Sequence, residues 1–163
     1  MVFVDGTNLF YRLNAGRLKV GDLKRIFERY LRRRQISRIY LYTVEQHLAT
    51  AKAFHGEGFL DGIRVVLGEG IETADRNIKE KGVDALLVAD LIYHAATRNC
   101  EYALVVTVDT DFVYTLRRAE DFGCGTGVLA ICAEVPQRLR TACDEYFEVT
   151  ADEMLKNGWA VRA

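Results

Sequence analysis

Apolar, β-branched runs of strand length recur along this chain with helix-length segments between them, and that alternation limits the folds open to it. The runs are residues 2–4, SRIYLYTV (37–44), IRVVLG (63–68), YALVVTV (102–108) and GTGVLAICA (125–133). EYFEV (145–149) is a candidate sixth strand. Behind Asp22, the segment LKRIFERYLRRR carries Leu23, Ile26, Phe27, Tyr30 and Leu31 at helical spacing, with Asp22 placed to cap it. Further helices are expected from residue 45 to Gly56, over 83–98, over 111–123 ended by glycine, over 136–142 and over 151–158. The helix over 83–98 is apolar enough to be expected well buried. Residues 69–81 are polar and aperiodic and are expected to form a loop. Strands alternating with helices predict an α/β fold with a mostly parallel sheet covered on both faces. In such sheets ligands bind beyond the carboxyl ends of strands, near a switch in strand order.

The 163 residues contain one proline and no linker-like or repetitive tract, so one domain over 1–163 is expected. No apolar run approaches the roughly 20 residues that span a bilayer. The opening MVFVDGTN holds Asp5 inside its apolar run and lacks a basic region, unlike a secretory leader. Cys100, Cys124, Cys132 and Cys143 form no CxxC pair, which argues against zinc and for free buried thiols in the cytoplasm. A net charge of −1 excludes attraction of nucleic acid by the protein as a whole. The basic stretch over 23–38 reads either as a solvated helix face or as a phosphate-binding patch.

Three acidic segments stand at element ends. Asp5 follows the first strand, Asp84 opens the apolar helix, and Asp109 and Asp111 follow the fourth strand. Asp84 and Asp111 occupy cap positions, so capping alone accounts for either. Asp5 precedes GT, which reads as a turn, and Asp109 precedes a cap that is already provided, so these two ask for another explanation. If the first and fourth strands are neighbours, Asp5 and Asp109 lie side by side and a nearby helix start can bring in Asp84. Like charges held close repel unless a cation joins them, and Mg²⁺ suits hard oxygen ligands.

Other chemistries are poorly supported. An aspartyl-phosphate phosphatase would place its nucleophile where Phe3 stands. The only serine, Ser37, sits at a strand entry, against a serine hydrolase. His47, His55 and His94 all fall in helical patterns. GCGTG (123–127) is not GxGxxG and precedes a strand.

The segments VFVDGTNLFYRL, KGVDALLVADL and VVTVDTDFVYTLRRAEDFG, in this order and spacing, resemble the signatures of the NYN domain in its LabA-like (DUF88) branch, a family of PIN-like nucleases. The closing LRTACDEYFEV is similar to that family's last strand region. The resemblance implies a three-layer α/β/α Rossmann-like, PIN-like sandwich carrying a Mg²⁺- or Mn²⁺-dependent ribonuclease site. It places Asp5, Asp84 and Asp109 as metal-binding and catalytic positions, with Asn8, Asp90 and Asp111 secondary. The last signature reads TVDTDF here: Val108 replaces the family's usual glycine, and Thr107 and Thr110 replace serines. A bulkier Val108 narrows the approach to the metal and leaves every acidic position in place. Asp90 lies six residues after Asp84, roughly 240° around a helix, so it organises the surroundings or is a satisfied polar group.

The function expected is hydrolysis of single-stranded RNA by a metal–carboxylate cluster, leaving a 5′-phosphate and a 3′-hydroxyl as similar nucleases do. One or two metal ions fit equally. Arg76, Lys79, Lys81, Arg117 and Arg118 are candidate contacts to the RNA backbone. Two alternatives remain open: an RNA-binding or regulatory module that keeps the fold and metal pocket, and a metal-dependent phosphatase on small phosphates. No membrane association is expected, and RNA specificity would come from a homo-oligomer or a protein partner.

Overall fold

The computed structural model describes residues 1–31, 34–75 and 77–163. The chain runs β1 (Val2–Asp5), α1 (Gly6–Ala15), β2 (Leu18–Val20), α2 (Lys24–Tyr30), β3 (Ile39–Thr43), α3 (Glu45–His55) and β4 (Arg64–Leu67). It continues through β5 (Glu69–Glu72), β6 (Ile78–Lys81), α4 (Val83–Ala96), β7 (Tyr102–Val106), α5 (Val113–Asp121) and β8 (Gly125–Ile131). It closes with α6 (Gln137–Arg140), β9 (Glu145–Val149), α7 (Ala151–Lys156) and β10 (Ala160–Arg162).

Six strands form one sheet in the order β4-β3-β1-β7-β8-β9, and every neighbouring pair is parallel. The chain builds outward from β1 to β3 and β4 on one side, then crosses over to β7 and builds to β8 and β9 on the other. The strand order therefore switches between β1 and β7, where a Rossmann-like sheet opens its binding crevice. The pleat sends Val2 and Val4 into a core shared with α1, α2, α3 and α7, while Phe3 faces a second core with α4, α5 and α6. The result is a three-layer α/β/α sandwich. Among the described residues, no helix is long and apolar enough to cross a membrane.

Three expectations differ from what forms, and one strand pair had no expectation. GT after Asp5 is no turn but the start of α1, which buries Leu9, Phe10 and Leu13. Gly6 makes this possible, because a Cβ there would lie 2.6 Å from the Tyr42 carbonyl oxygen on β3. Residues 69–81 are not a loop: β5 and β6 pair as an antiparallel hairpin, with Glu69 opposite Lys81 and Ile71 opposite Lys79. Neither face of the hairpin is fully buried, so no apolar alternation marks it. The helix α4 is buried only along the stripe Val83, Leu87, Leu91 and Ala95, and Tyr93 on another face is 59% exposed. The short antiparallel pair β2–β10 was not anticipated.

Candidate functional site

Asp5 ends β1 and Asp109 follows the end of β7, so the two stand on adjacent parallel strands at the switch point. One buried hydroxyl links them. Thr107 Oγ1 donates to Asp5 Oδ2 at 2.8 Å and accepts the Asp109 backbone N–H at 3.0 Å. Asp5 Oδ1 accepts the Asn8 N–H at 3.1 Å and caps α1. Asp109 Oδ1 accepts the Asp111 N–H at 2.9 Å and caps the 3₁₀ turn Thr110–Phe112 that leads into α5.

These contacts reverse the expected capping roles. The aspartates that capping was not expected to explain are the two that cap. Asp84 lies in the first turn of α4, where the preceding Gly82 takes φ +79, and makes no cap bond from the N-cap position. Asp111 lies inside the 3₁₀ turn and is exposed. Capping engages one oxygen of Asp5 and one of Asp109, and Thr107 holds the second oxygen of Asp5.

The electrostatics tie these groups together. Burial pushes the Asp5 carboxyl up from 3.8 to about 6; hydrogen bonds from Asn8 and Thr107 pull it down, and the charges of Asp84 and Asp109 push it further up. The Asp84 carboxyl is also raised, first by its partial burial, then by Asp109, Glu80 and Asp111. Among the described residues, no Lys, Arg or His pairs within 4 Å with Asp5, Asp84, Asp109 or Asp111. Clustered carboxylate oxygens, two of them with raised pKa values, suit a hard divalent cation. The side chains do not converge into a ready-made cage: among the described residues, no three His, Cys, Asp or Glu side chains form a metal-binding group.

Other expected residues fall around this centre. Asn8 is half-buried and lends its backbone N–H to Asp5. Asp90 accepts the Tyr42 hydroxyl at 2.9 Å and ties α4 to β3; burial first, and then this bond, pushes the phenol far above its ordinary range. Val108 packs against the core of α4 and α5. Lys79 and Lys81 are exposed on β6, and Arg117 is exposed on α5. Arg118 is already engaged, with its guanidinium bonded to the Tyr114 hydroxyl at 2.6 Å and to Asp121 at 3.0 Å. Arg76 lies outside the described residues. In the basic stretch 23–38, Lys24 pairs with Glu28, Arg25 with Asp22 and Arg34 with Glu145. Arg32 and Arg33 also lie outside the described residues.

Two participants had no clear signal in the sequence. Thr107 reads as one more β-branched strand residue. Glu80 lies in the stretch expected to be a loop, yet the hairpin carries it to α1 and α3, where it accepts the Thr7 hydroxyl and contacts His47 Nδ1 at 2.9 Å. Knowledge that 69–81 forms a hairpin would have placed Glu80 on the face opposite Lys79 and Lys81.

Comparison with known proteins identifies the family and the fold. The NYN domain model matches residues 1–151. Among solved structures, a protein of unknown function from Vibrio parahaemolyticus is similar at TM-score 0.68 and 18% identity, with 93% of this chain and 92% of that one covered. That likeness concerns the fold alone. No curated protein matches the chain.

Proposed function

Given a chain that belongs to the NYN domain family, we propose that it is a Mg²⁺- or Mn²⁺-dependent endoribonuclease whose working end is the Asp5–Asp109 junction. NYN domains are nuclease domains of PIN-like fold, and the metal dependence and the RNA substrate are our extension to this chain. The observation that carries the reading is the placement of Asp5 and Asp109 on neighbouring parallel strands, joined through the Thr107 hydroxyl, with Asp84 raising the Asp5 carboxyl. A divalent ion bound there would neutralise phosphate charge and lower the pKa of an attacking water.

The residues of the chain then have distinct tasks. Asp5, Asp84 and Asp109 supply oxygen ligands, and Asp111 acts through water. Asn8 orients a phosphate or a carboxylate. Thr107 fixes which way the Asp5 carboxylate faces, as a partner behind a ligand does. Lys79, Lys81 and Arg117 meet the RNA backbone, each as an exposed cation worth about one phosphate contact. Arg118 is the weaker candidate, because Tyr114 and Asp121 already hold it.

The test is incubation with single-stranded RNA and Mn²⁺, with and without chelator, for the wild type and Asp109→Asn. Cleavage should require the metal and vanish in the variant; cleavage that persists in chelator or in Asp109→Asn overturns the reading. The absence of a ready-made metal cage among the described residues favours a second reading, an RNA-binding module without cleavage. It predicts bound RNA and no product in the same assay.

A further inference from the structure

A second concavity opens beside the acidic junction, between α1 and α3. Residues spaced by three and four line it from both helices: Thr7, Phe10, Tyr11 and Asn14 from α1, His47 and Phe54 from α3. Its volume is about 320 Å³. That is the low end of the range for small-molecule sites, suited to one heterocycle and too small for a helix of a partner protein.

The walls are aromatic. Phe10 forms a buried floor, its ring centroid 6.2 Å from that of Phe59. Tyr11 is 67% exposed and Phe54 36%, so both present ring surface to solvent. Phe54 meets His55 edge-on, 4.9 Å between centroids. His55 itself is unavailable to a ligand through Nδ1, which accepts the Val20 N–H at 3.1 Å. Polar edges flank the rings: the exposed Asn14 amide can donate and accept, and the Nε2 of His47 lies on the ring side opposite its contact with Glu80.

The rim of the concavity and the acidic junction share the amino-terminal turn of α1, which Asp5 caps and Thr7 enters. Thr7 and His47 at its rim are both held by Glu80, which stands four residues before Asp84. Thr7 stands two residues after Asp5. A flat, neutral, aromatic ligand with hydrogen-bonding edges, attached to a phosphate bound at the junction, satisfies both halves. An anionic lipid or an acidic peptide offers no flat aromatic group for the rings of Tyr11 and Phe54.

We propose that the α1–α3 concavity is a base-stacking subsite, in which Tyr11 and Phe54 hold one unstacked nucleobase of the RNA strand while its phosphate lies at the Asp5–Asp109 junction. Single-strand recognition commonly takes this form, with bases splayed onto aromatic faces and read at their edges. The inference rests on RNA being the substrate, and it does not require that the protein cleave it.

The experiment uses an oligouridine RNA carrying one 2-aminopurine, whose emission falls when it stacks on an aromatic ring. The wild type should quench the probe on binding. Tyr11→Ala and Phe54→Ala should each weaken binding roughly tenfold and lose most of the quench. Phe54→Leu keeps apolar bulk and should still lose quench, which separates stacking from simple burial. Unchanged melting temperatures confirm that these exposed substitutions leave the fold intact. Cleavage by the wild type with equal affinity and quench in the alanine variants overturns the subsite and leaves the nuclease reading standing. Quench without cleavage supports the subsite and removes the nuclease reading. Concentration-dependent dimers abolished by Tyr11→Ala assign the concavity to a second copy of the chain and overturn the proposal.

Discussion

The two ends of the six-stranded sheet treat charge in opposite ways. At the amino end of β7 and β9, Arg34 pairs with Glu145 at 3.0 Å and lies over the Tyr102 ring at 3.9 Å, and the Tyr102 hydroxyl donates to the same Glu145 at 2.9 Å. The Met1 ammonium donates to the Tyr102 carbonyl at 2.8 Å. At the carboxyl end of β1 and β7, Asp5, Asp84, Asp109 and Asp111 act on one another and no described cation joins them. The larger cavity, about 600 Å³, is at the compensated end and is lined by Arg34, Glu101 and Tyr102 among others. Cavity size therefore points away from the proposed site, and uncompensated like charge points toward it. Glu145 is matched by a cation, whereas the junction acids repel one another, the arrangement expected of acids that await a ligand.

The largest effect that can break this contrast is on cleavage. Asp109→Asn and Asp5→Asn should each lower Mn²⁺-dependent cleavage of single-stranded RNA by orders of magnitude. In chelator, Asp109→Asn should match or exceed the wild-type melting temperature, because it removes a repelling charge. Mn²⁺ should raise the melting temperature of the wild type and not of the variant. A metal-induced rise that survives in Asp109→Asn removes that residue from the ligand set.

The pH dependence of stability sharpens the contrast next. Asp5 titrates near 6 in the folded chain against 3.8 ordinarily. The folded state holds the extra proton between those values, so Asp5 stabilises the metal-free fold at acid pH, and that contribution is lost as pH rises through about 4 to 6. His55 acts in the opposite sense, because burial lowers it from 6.5 to about 4 and it loses stability as pH falls through that window. Comparison with Asp5→Asn cancels the His55 contribution. In chelator, the wild type should lose up to about 3 kcal/mol relative to Asp5→Asn between pH 4 and 6.5. Parallel stability curves for the two proteins across that range would mean that Asp5 is solvated like an ordinary surface acid.

These effects depend on positions that were unequally legible in the sequence. Five of the six parallel strands were legible as apolar runs bounded by polar residues, whereas β9, with Glu145 and Glu148 in EYFEV, was only a candidate. The adjacency of β1 and β7 was not, since pattern alone does not give strand order. The role of Asp5 was misjudged for a local reason: GT looks like a turn until the close approach of Gly6 to β3 is known. Glu80 was hidden because the hairpin β5–β6 has no fully buried face and so no period-2 signal. The acids themselves stood out because they end apolar strands, where carboxylates are costly without a partner.

Thr107→Val tests the link between the two halves of the junction. Valine keeps the shape and removes both the donor to Asp5 and the acceptor for the Asp109 N–H. One buried hydrogen-bonded hydroxyl is worth about 1 to 2 kcal/mol, so the melting temperature should fall modestly. Cleavage should fall about 10- to 100-fold, the usual loss when the partner behind a metal ligand is removed. Thr107→Ser keeps the hydroxyl and should restore both. Equal activity in Thr107→Val and wild type would separate Asp5 from Asp109 as working parts.

The smallest effect belongs to the opposite end of the sheet, and its sign matters more than its size. Glu145→Gln removes the acid that Arg34 and Tyr102 share, leaving a cation and a phenol with a neutral partner. Arg34 and Glu145 are 40% and 30% exposed along their side chains, so solvent screens the pair and the loss should be about 0.5 to 1 kcal/mol. Cleavage should be unchanged, since Glu145 opens β9 at the far edge and far end of the sheet from the acidic junction. Neutralising an acid thus lowers stability here, whereas Asp109→Asn in chelator leaves it unchanged or raises it. If both substitutions destabilise the metal-free protein alike, the acidic junction is compensated by something other than a bound cation, and the contrast between the two ends fails.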